Sequence, residues 1–102
     1  LQEASLYALH MPLKTAEKCF EILRNAKAIA LYGNKNAASD SGVGAMLALS
    51  GLEGAALNVK INLPGIHNEI VKADAQKRIE ELIQKGKHLQ KEILNIVNDR
   101  MV

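Results

Sequence analysis

The chain has 102 residues, 48% of them hydrophobic and 24% charged, which fits one small globular domain or part of one and argues against a disordered segment. A net charge of +2 on balanced acids and bases makes no basic stripe, and Tyr7, Phe20 and Tyr32 alone supply no stacking platform, so nucleic acid is not an expected partner. The lone Cys19 has no Cys or His at ligand spacing and reads as a buried helix residue, neither half of a disulfide nor a zinc ligand.

The first element is an amphipathic helix. Leu9, Leu13, Ala16, Phe20, Leu23 and Ala30 recur at spacings of three, four or seven, and Cys19, Ile22, Ala26 and Ile29 widen the stripe. Pro12 either opens the main body of this helix at its first turn or kinks a longer helix that includes Ala4 to His10. Gly33 is expected to end it in the left-handed conformation that glycine tolerates best. No charged and apolar leader with a small-residue cleavage site opens the chain, so a cytoplasmic location is expected; the opening inside a helical pattern and without Met reads as a fragment of a longer protein.

Residues 32–42, YGNKNAASDSG, carry more polar groups than a helix-to-helix turn requires. Two readings stand side by side. Ser39 or Asp40 could cap the next helix, with Gly33 and one Asn making the turn. Alternatively Asn34, Asn36, Ser39 and Asp40 line a pocket where amides and a carboxylate bind a polar ring or handle a proton.

The second helix is expected over 39–62. From Gly42 to Val59 it has one charge, Glu53, and Gly44, Ala48, Gly51 and Ala55 form a small-residue ridge running into Asn58 and Asn62. Such a helix is expected to be buried on all sides, and two charged neighbours can cover only part of it, so another subunit or a further segment must cover the rest. A membrane span is disfavoured: Glu53 would lie in mid-bilayer, the basic residues are not gathered on one flank, and the neighbouring helices carry charge throughout.

Leu63-Pro64-Gly65 reads as a turn and Asn68 as the cap of a third helix of about 30 residues, a rod of roughly 45 Å. Its near-heptad stripe is Ile79, Leu82, Ile83, Leu89, Ile93, Ile96 and Val97. The fold class is therefore all-α, a bundle of long helices with three main helices in this chain. His10, His67 and His88 are too scattered for a metal site, and no nucleophile elbow, phosphate loop or zinc signature is present.

From Pro12 through Gly33, Asn34, Asn36, Ser39 and Asp40 to Gly54, Ala55, Asn58, Val59, Ile61 and Asn62, the chain resembles the formiminotetrahydrofolate cyclodeaminase and methenyltetrahydrofolate cyclohydrolase family, whose pattern G-N-x-N-x-x-S-D…G-A…N-V-x-I-N-L has the same spacing. The resemblance covers the C-terminal half of that family's domain. It implies that residues 1–102 are the C-terminal part of one helical domain, whose N-terminal half brings a Pro- and Gly-rich loop, and that the bundle is completed by that half, by a homodimer partner, or by both.

The chemistry implied is closure of 5-formiminotetrahydrofolate to 5,10-methenyltetrahydrofolate with loss of ammonia, a lyase reaction. The alternatives are hydrolytic opening of the methenyl ring and a non-catalytic helical scaffold. On the same ground Asp40 is the expected proton handler or the group that orients one. Asn34, Asn36, Ser39, Asn58 and Asn62 are the expected contacts to the tetrahydrofolate derivative, with Lys60, and less directly Lys35, for its glutamate tail. No metal and no cofactor beyond the folate is implied, and neither a membrane nor a nucleic acid.

Overall fold

The computed structural model describes the backbone from residue 2 and the side chains from residue 6 onward. Helix α1 spans Gln2–Tyr32, α2 spans Lys35–Asn62, a single 3-10 turn occupies Leu63–Gly65, and α3 spans Glu69–Met101. Short connections force neighbouring helices to run antiparallel, so the chain goes up, down and up again in a rod of 54 × 17 × 16 Å. The first and third helices consequently run side by side in the same direction. Arg78 meets Glu17 at the middle of α1 at 3.0 Å, Lys27 pairs with Glu92 further along, and the Arg100 guanidinium donates to the Ala30 carbonyl at 2.8 Å.

The core follows the apolar periodicity. Leu23, Leu52, Val59, Ile66, Ile79 and Ile93 are its large, fully enclosed side chains, with small residues such as Ala16, Ala30, Ala45 and Ala56 letting the helices approach. Cys19, expected to be buried, is half-buried and packs against this cluster. Its Sγ lies 2.9 Å from where a Cβ on Gly51 would stand, so a glycine at 51 is what lets α1 and α2 close here. Pro12 lies inside an unbroken α1 rather than at its start. Because proline has no N–H, the Ala8 carbonyl one turn back is left without its helical donor.

Two expectations need correction. Gly33 does not adopt the left-handed conformation, since no glycine in the described chain has positive φ. Space demands it instead: a Cβ there would stand 2.7 Å from the Ile29 carbonyl oxygen, to which the Gly33 N–H already donates at 2.8 Å. The second helix begins at Lys35, four residues before the expected start, and neither Ser39 nor Asp40 caps it. Asn34 does, its Oδ1 accepting the Ala37 N–H at 2.8 Å while its carbonyl takes the Ala38 N–H. One asparagine directly after the glycine suffices for the whole turn.

As expected of a helix whose two neighbours can cover only part of it, α2 is buried on one side alone within this chain. The line through Ala38, Ala45, Leu52 and Val59 faces α1 and α3, while Val43, Met46, Leu47, Leu57 and Ile61 are exposed on the opposite face. By length and apolarity this helix could cross a membrane, but 44% of that apolar stretch is buried against its charged neighbours, as expected of a bundle's middle helix.

The third helix matches its expected cap, Asn68 Oδ1 accepting the N–H groups of Ile70 and Val71 at 3.0 and 3.1 Å. Of its stripe, Ile79, Ile93 and Val97 are buried and Leu82, Ile83, Leu89 and Ile96 partly so.

Candidate functional site

The loop residues divide once the cap is known. Asn34 spends its side-chain oxygen on the helix start, and Asn36 is exposed in the first turn. Ser39 is half-buried. Ser41, two residues further on, is buried and donates to the Ala38 carbonyl at 2.6 Å. Asp40 sits in the second turn, beyond the reach of the cap and of most of the helix dipole. Among the described residues it forms no hydrogen bond or ion pair, so its carboxylate is not committed to holding the fold.

Asp40 borders a groove of about 350 Å³ between α1 and α2. Ile22, Ala26 and Ile29 of α1 and Ala37 and Gly44 of α2 make its walls, and the polar groups are Asp40, Ser41 and Asn25. A mostly apolar groove with a few converging polar groups has the character of a small-molecule site, and its size falls within the usual range of roughly 300–1,000 Å³. Asn25 was missed in the sequence because a lone amide on an amphipathic helix reads as solvated surface. Only the α1–α2 contact sets it across from Asp40.

The amides at the far end of α2 lie in a second groove of about 520 Å³. Gly51, Gly54 and Ala55 form its floor, Met11, Pro12 and Thr15 its α1 side, and Asn58 and Asn62 its end. Asn62 donates its Nδ2 hydrogen to the Asn58 carbonyl at 2.8 Å, leaving its oxygen to accept. Lys60 is not with them. It points to the α3 side of α2, beside Glu53, Ile83 and Lys87.

The structure therefore groups Asn34, Asn36, Ser39 and Asp40 at one end of the rod, Asn58 and Asn62 at the other, and Lys60 round the corner. At 1.5 Å per residue, Asp40 and Asn58 are roughly 27 Å apart along α2. The two groups line separate grooves within this chain. Among the described residues there is also no cluster of three His, Cys, Asp or Glu side chains able to hold a metal ion.

The chain is a three-helix unit with a polar helix junction, an uncommitted carboxylate on an apolar groove and an amide pair on a glycine floor. Its sequence places it further: the profile of the formiminotransferase-cyclodeaminase family matches residues 1–81, and the chain belongs to that family. It is 33% identical over 101 residues to a methenyltetrahydrofolate cyclohydrolase of Methylorubrum extorquens, covering 99% of this chain and 49% of that protein. It is 36% identical over 87 residues to a formimidoyltransferase-cyclodeaminase of Sus scrofa and 34% to that of Rattus norvegicus, in each case over 85% of this chain and 16% of the relative. The chain thus spans about half the length of the cyclohydrolase and a much smaller part of the mammalian proteins.

Proposed function

We propose that this chain is the C-terminal part of a folate-processing helical domain that works on one-carbon derivatives of tetrahydrofolate in the cytoplasm, and that Asp40 handles the proton in its reaction. The carrying observation is the Asp40 carboxylate itself: it neither caps a helix nor pairs with a cation among the described residues, yet it borders an apolar groove of ligand size. In the cyclodeaminase reaction, N10 of 5-formiminotetrahydrofolate attacks the formimino carbon and the carbon's bond to the outgoing nitrogen breaks. A carboxylate that accepts the N10 proton and returns one to that nitrogen lets it leave as ammonia. Asn25 and Ser41, which line the same groove, orient the substrate's polar edge, and no metal or redox group takes part.

Cyclohydrolase activity is the second reading, and the specific support for it is that nearly the whole chain matches about half of the Methylorubrum protein. There water attacks the methenyl carbon, one of that carbon's ring C–N bonds breaks, and the same carboxylate takes the water's proton and returns one to the released nitrogen. A helical scaffold without activity is the third, and it rests on the distance between the two polar ends of α2.

The experiment is Asp40→Asn in a protein with the full length of the cyclohydrolase relative, assayed for ammonia release and for appearance or loss of methenyl-folate absorbance. Loss of turnover by 100-fold or more with an unchanged melting temperature is the expected result. Full activity in the variant would remove Asp40 from the chemistry. The 102-residue chain assayed alone is expected to turn over neither substrate, because it carries only part of a site that needs all its donors and acceptors in place.

A further inference from the structure

We propose, given the reading that Asp40 handles the proton, that the last turns of α3 set the width of the Asp40 groove and that Arg100 is a positioning residue, holding the α1 wall through the Ala30 carbonyl.

Helices α1 and α3 run in the same direction, so the end of α3 arrives where α1 stops and α2 starts. Leu94, Val97 and Arg100 follow one another there at steps of three, which keeps them on one side of α3. They reach both walls of the groove from behind. On the α2 wall, Gly42 is buried and comes directly after Asp40 and Ser41. A Cβ on it would stand 3.4 and 3.5 Å from the two Val97 methyls and 3.6 Å from Leu94 Cδ2, so α3 leaves room for a methyl at most behind that wall. On the α1 wall, Ala30 follows the groove residue Ile29 and is itself fully enclosed, and its carbonyl accepts the Arg100 guanidinium at 2.8 Å.

This contact joins residues 70 positions apart and is partly buried. Among the described residues Arg100 pairs with no carboxylate; it serves a carbonyl that the end of α1 leaves without a helical donor. A charged donor makes such a bond stronger than a neutral one. From Ala30 onward the junction is tightly joined. The Gly33 N–H donates to the Ile29 carbonyl at 2.8 Å, the Ala37 Cβ stands 3.1 Å from where a Cβ on Gly33 would be, and Asn34 caps α2 at Ala37. A shift of Ala30 therefore passes through Ile29 and Gly33 into the first turn of α2, one turn before Asp40. Because Asp40 makes no hydrogen bond of its own, its place opposite Asn25 and Ile29 depends on how the two helices are held.

The test uses a protein with the full length of the cyclohydrolase relative. Arg100→Met keeps the stem and removes the donor. Its kcat is expected to fall about tenfold with KM within about twofold, because the apolar walls that hold the substrate remain and only the placement of the proton-handling group changes. Arg100→Lys restores a charged N–H donor, and one N–H is all the contact uses, so kcat is expected to return to within about threefold of the parent. Hydrogen exchange gives a readout that needs no folate: the Gly33 N–H is expected to exchange about tenfold faster in Arg100→Met, with Ala16 and Leu23 in the body of α1 unchanged. Should Arg100→Met not fold, Arg100→Gln, a neutral donor on a shorter stem, carries the same comparisons. An unchanged kcat, a rise in KM alone, an Arg100→Lys protein as slow as Arg100→Met, or a uniform quickening of exchange along α1 overturns the proposal. Each of these differs from full activity in Asp40→Asn, which removes the proton handler and leaves the exchange effect of Arg100 in place.

Discussion

Replacing Gly86 by alanine sets two opposing effects against each other in the middle of α3. In a helix interior alanine is worth about 1 kcal/mol over glycine, so on an exposed face the change would stabilise. Gly86 is buried, and a Cβ there would stand 2.6 Å from Leu52 Cδ2, 3.3 Å from Leu49 Cδ1 and 3.5 Å from Leu23 Cδ1. Carbon atoms pack comfortably at about 3.5–4.0 Å, so the Leu52 methyl must retreat by roughly 1 Å. Leu52 and Leu23 are both at 0% exposure, which leaves the retreat no free volume. Overpacking of this kind costs about 1–3 kcal/mol. It wins over propensity, and the net loss is about 1 kcal/mol, or a melting temperature lower by about 4–8 °C in a domain of this size.

Thermal unfolding by circular dichroism checks the value, and a double-mutant cycle with Leu52→Ala checks the cause. Leu52→Ala alone opens a cavity at about 2–5 kcal/mol, and the new methyl at position 86 partly fills it, so the pair must be less destabilised than the sum. A rise in melting temperature for Gly86→Ala, with no coupling to Leu52, would refute this account of the α2–α3 contact.

Asn34→Ala removes the side-chain acceptor at the start of α2 and is expected to cost about 1 kcal/mol by the same melting assay, whereas Ser39→Ala, which caps nothing, is expected to stay within about 0.5 kcal/mol. Arg100→Met keeps the aliphatic length but leaves the Ala30 carbonyl without its donor at the end of α1, and hydrogen exchange in that last turn is expected to quicken. The hydrogen bond from Lys27 holds the Glu92 carboxyl below its ordinary value of 4.5, with the Lys27 charge and His88 adding to the shift and burial opposing it. A depressed carboxylate pKa stabilises the fold at pH above the unfolded value and loses that contribution as pH falls through the folded one. Lys27→Met is therefore expected to flatten the acid limb of the stability profile below about pH 4.5, and added salt to mimic it.

Much of this fold was legible in the residue pattern. The apolar spacing of Leu9 to Ala30 and of Ile79 to Val97 marks which faces turn inward, because a helix repeats every 3.6 residues whatever it packs against. Asn68 and the Leu63-Pro64-Gly65 break are local events, written in the residues that make them. The family motif from Gly33 to Asn62 was also visible, since it is a matter of residue identity and spacing.

What the pattern left open depends on contacts between helices. Asn34, Ser39 and Asp40 are all competent caps, and the choice fell to Asn34 because the close approach of the Ile29 carbonyl and Ala37 at Gly33 fixes where the chain turns. That choice releases Asp40 for the groove. Gly86 reads as a weak point in a charged helix until Leu52 is seen to fill its missing side chain, and Asn25 reads as surface until α2 lies across it. The separation of Asp40 from Asn58, and of both from Lys60, follows from an unbroken α2: a straight helix carries its residues apart at 1.5 Å per residue and turns them by 100°, so neighbours in a motif become neighbours in a site only when another helix brings them together.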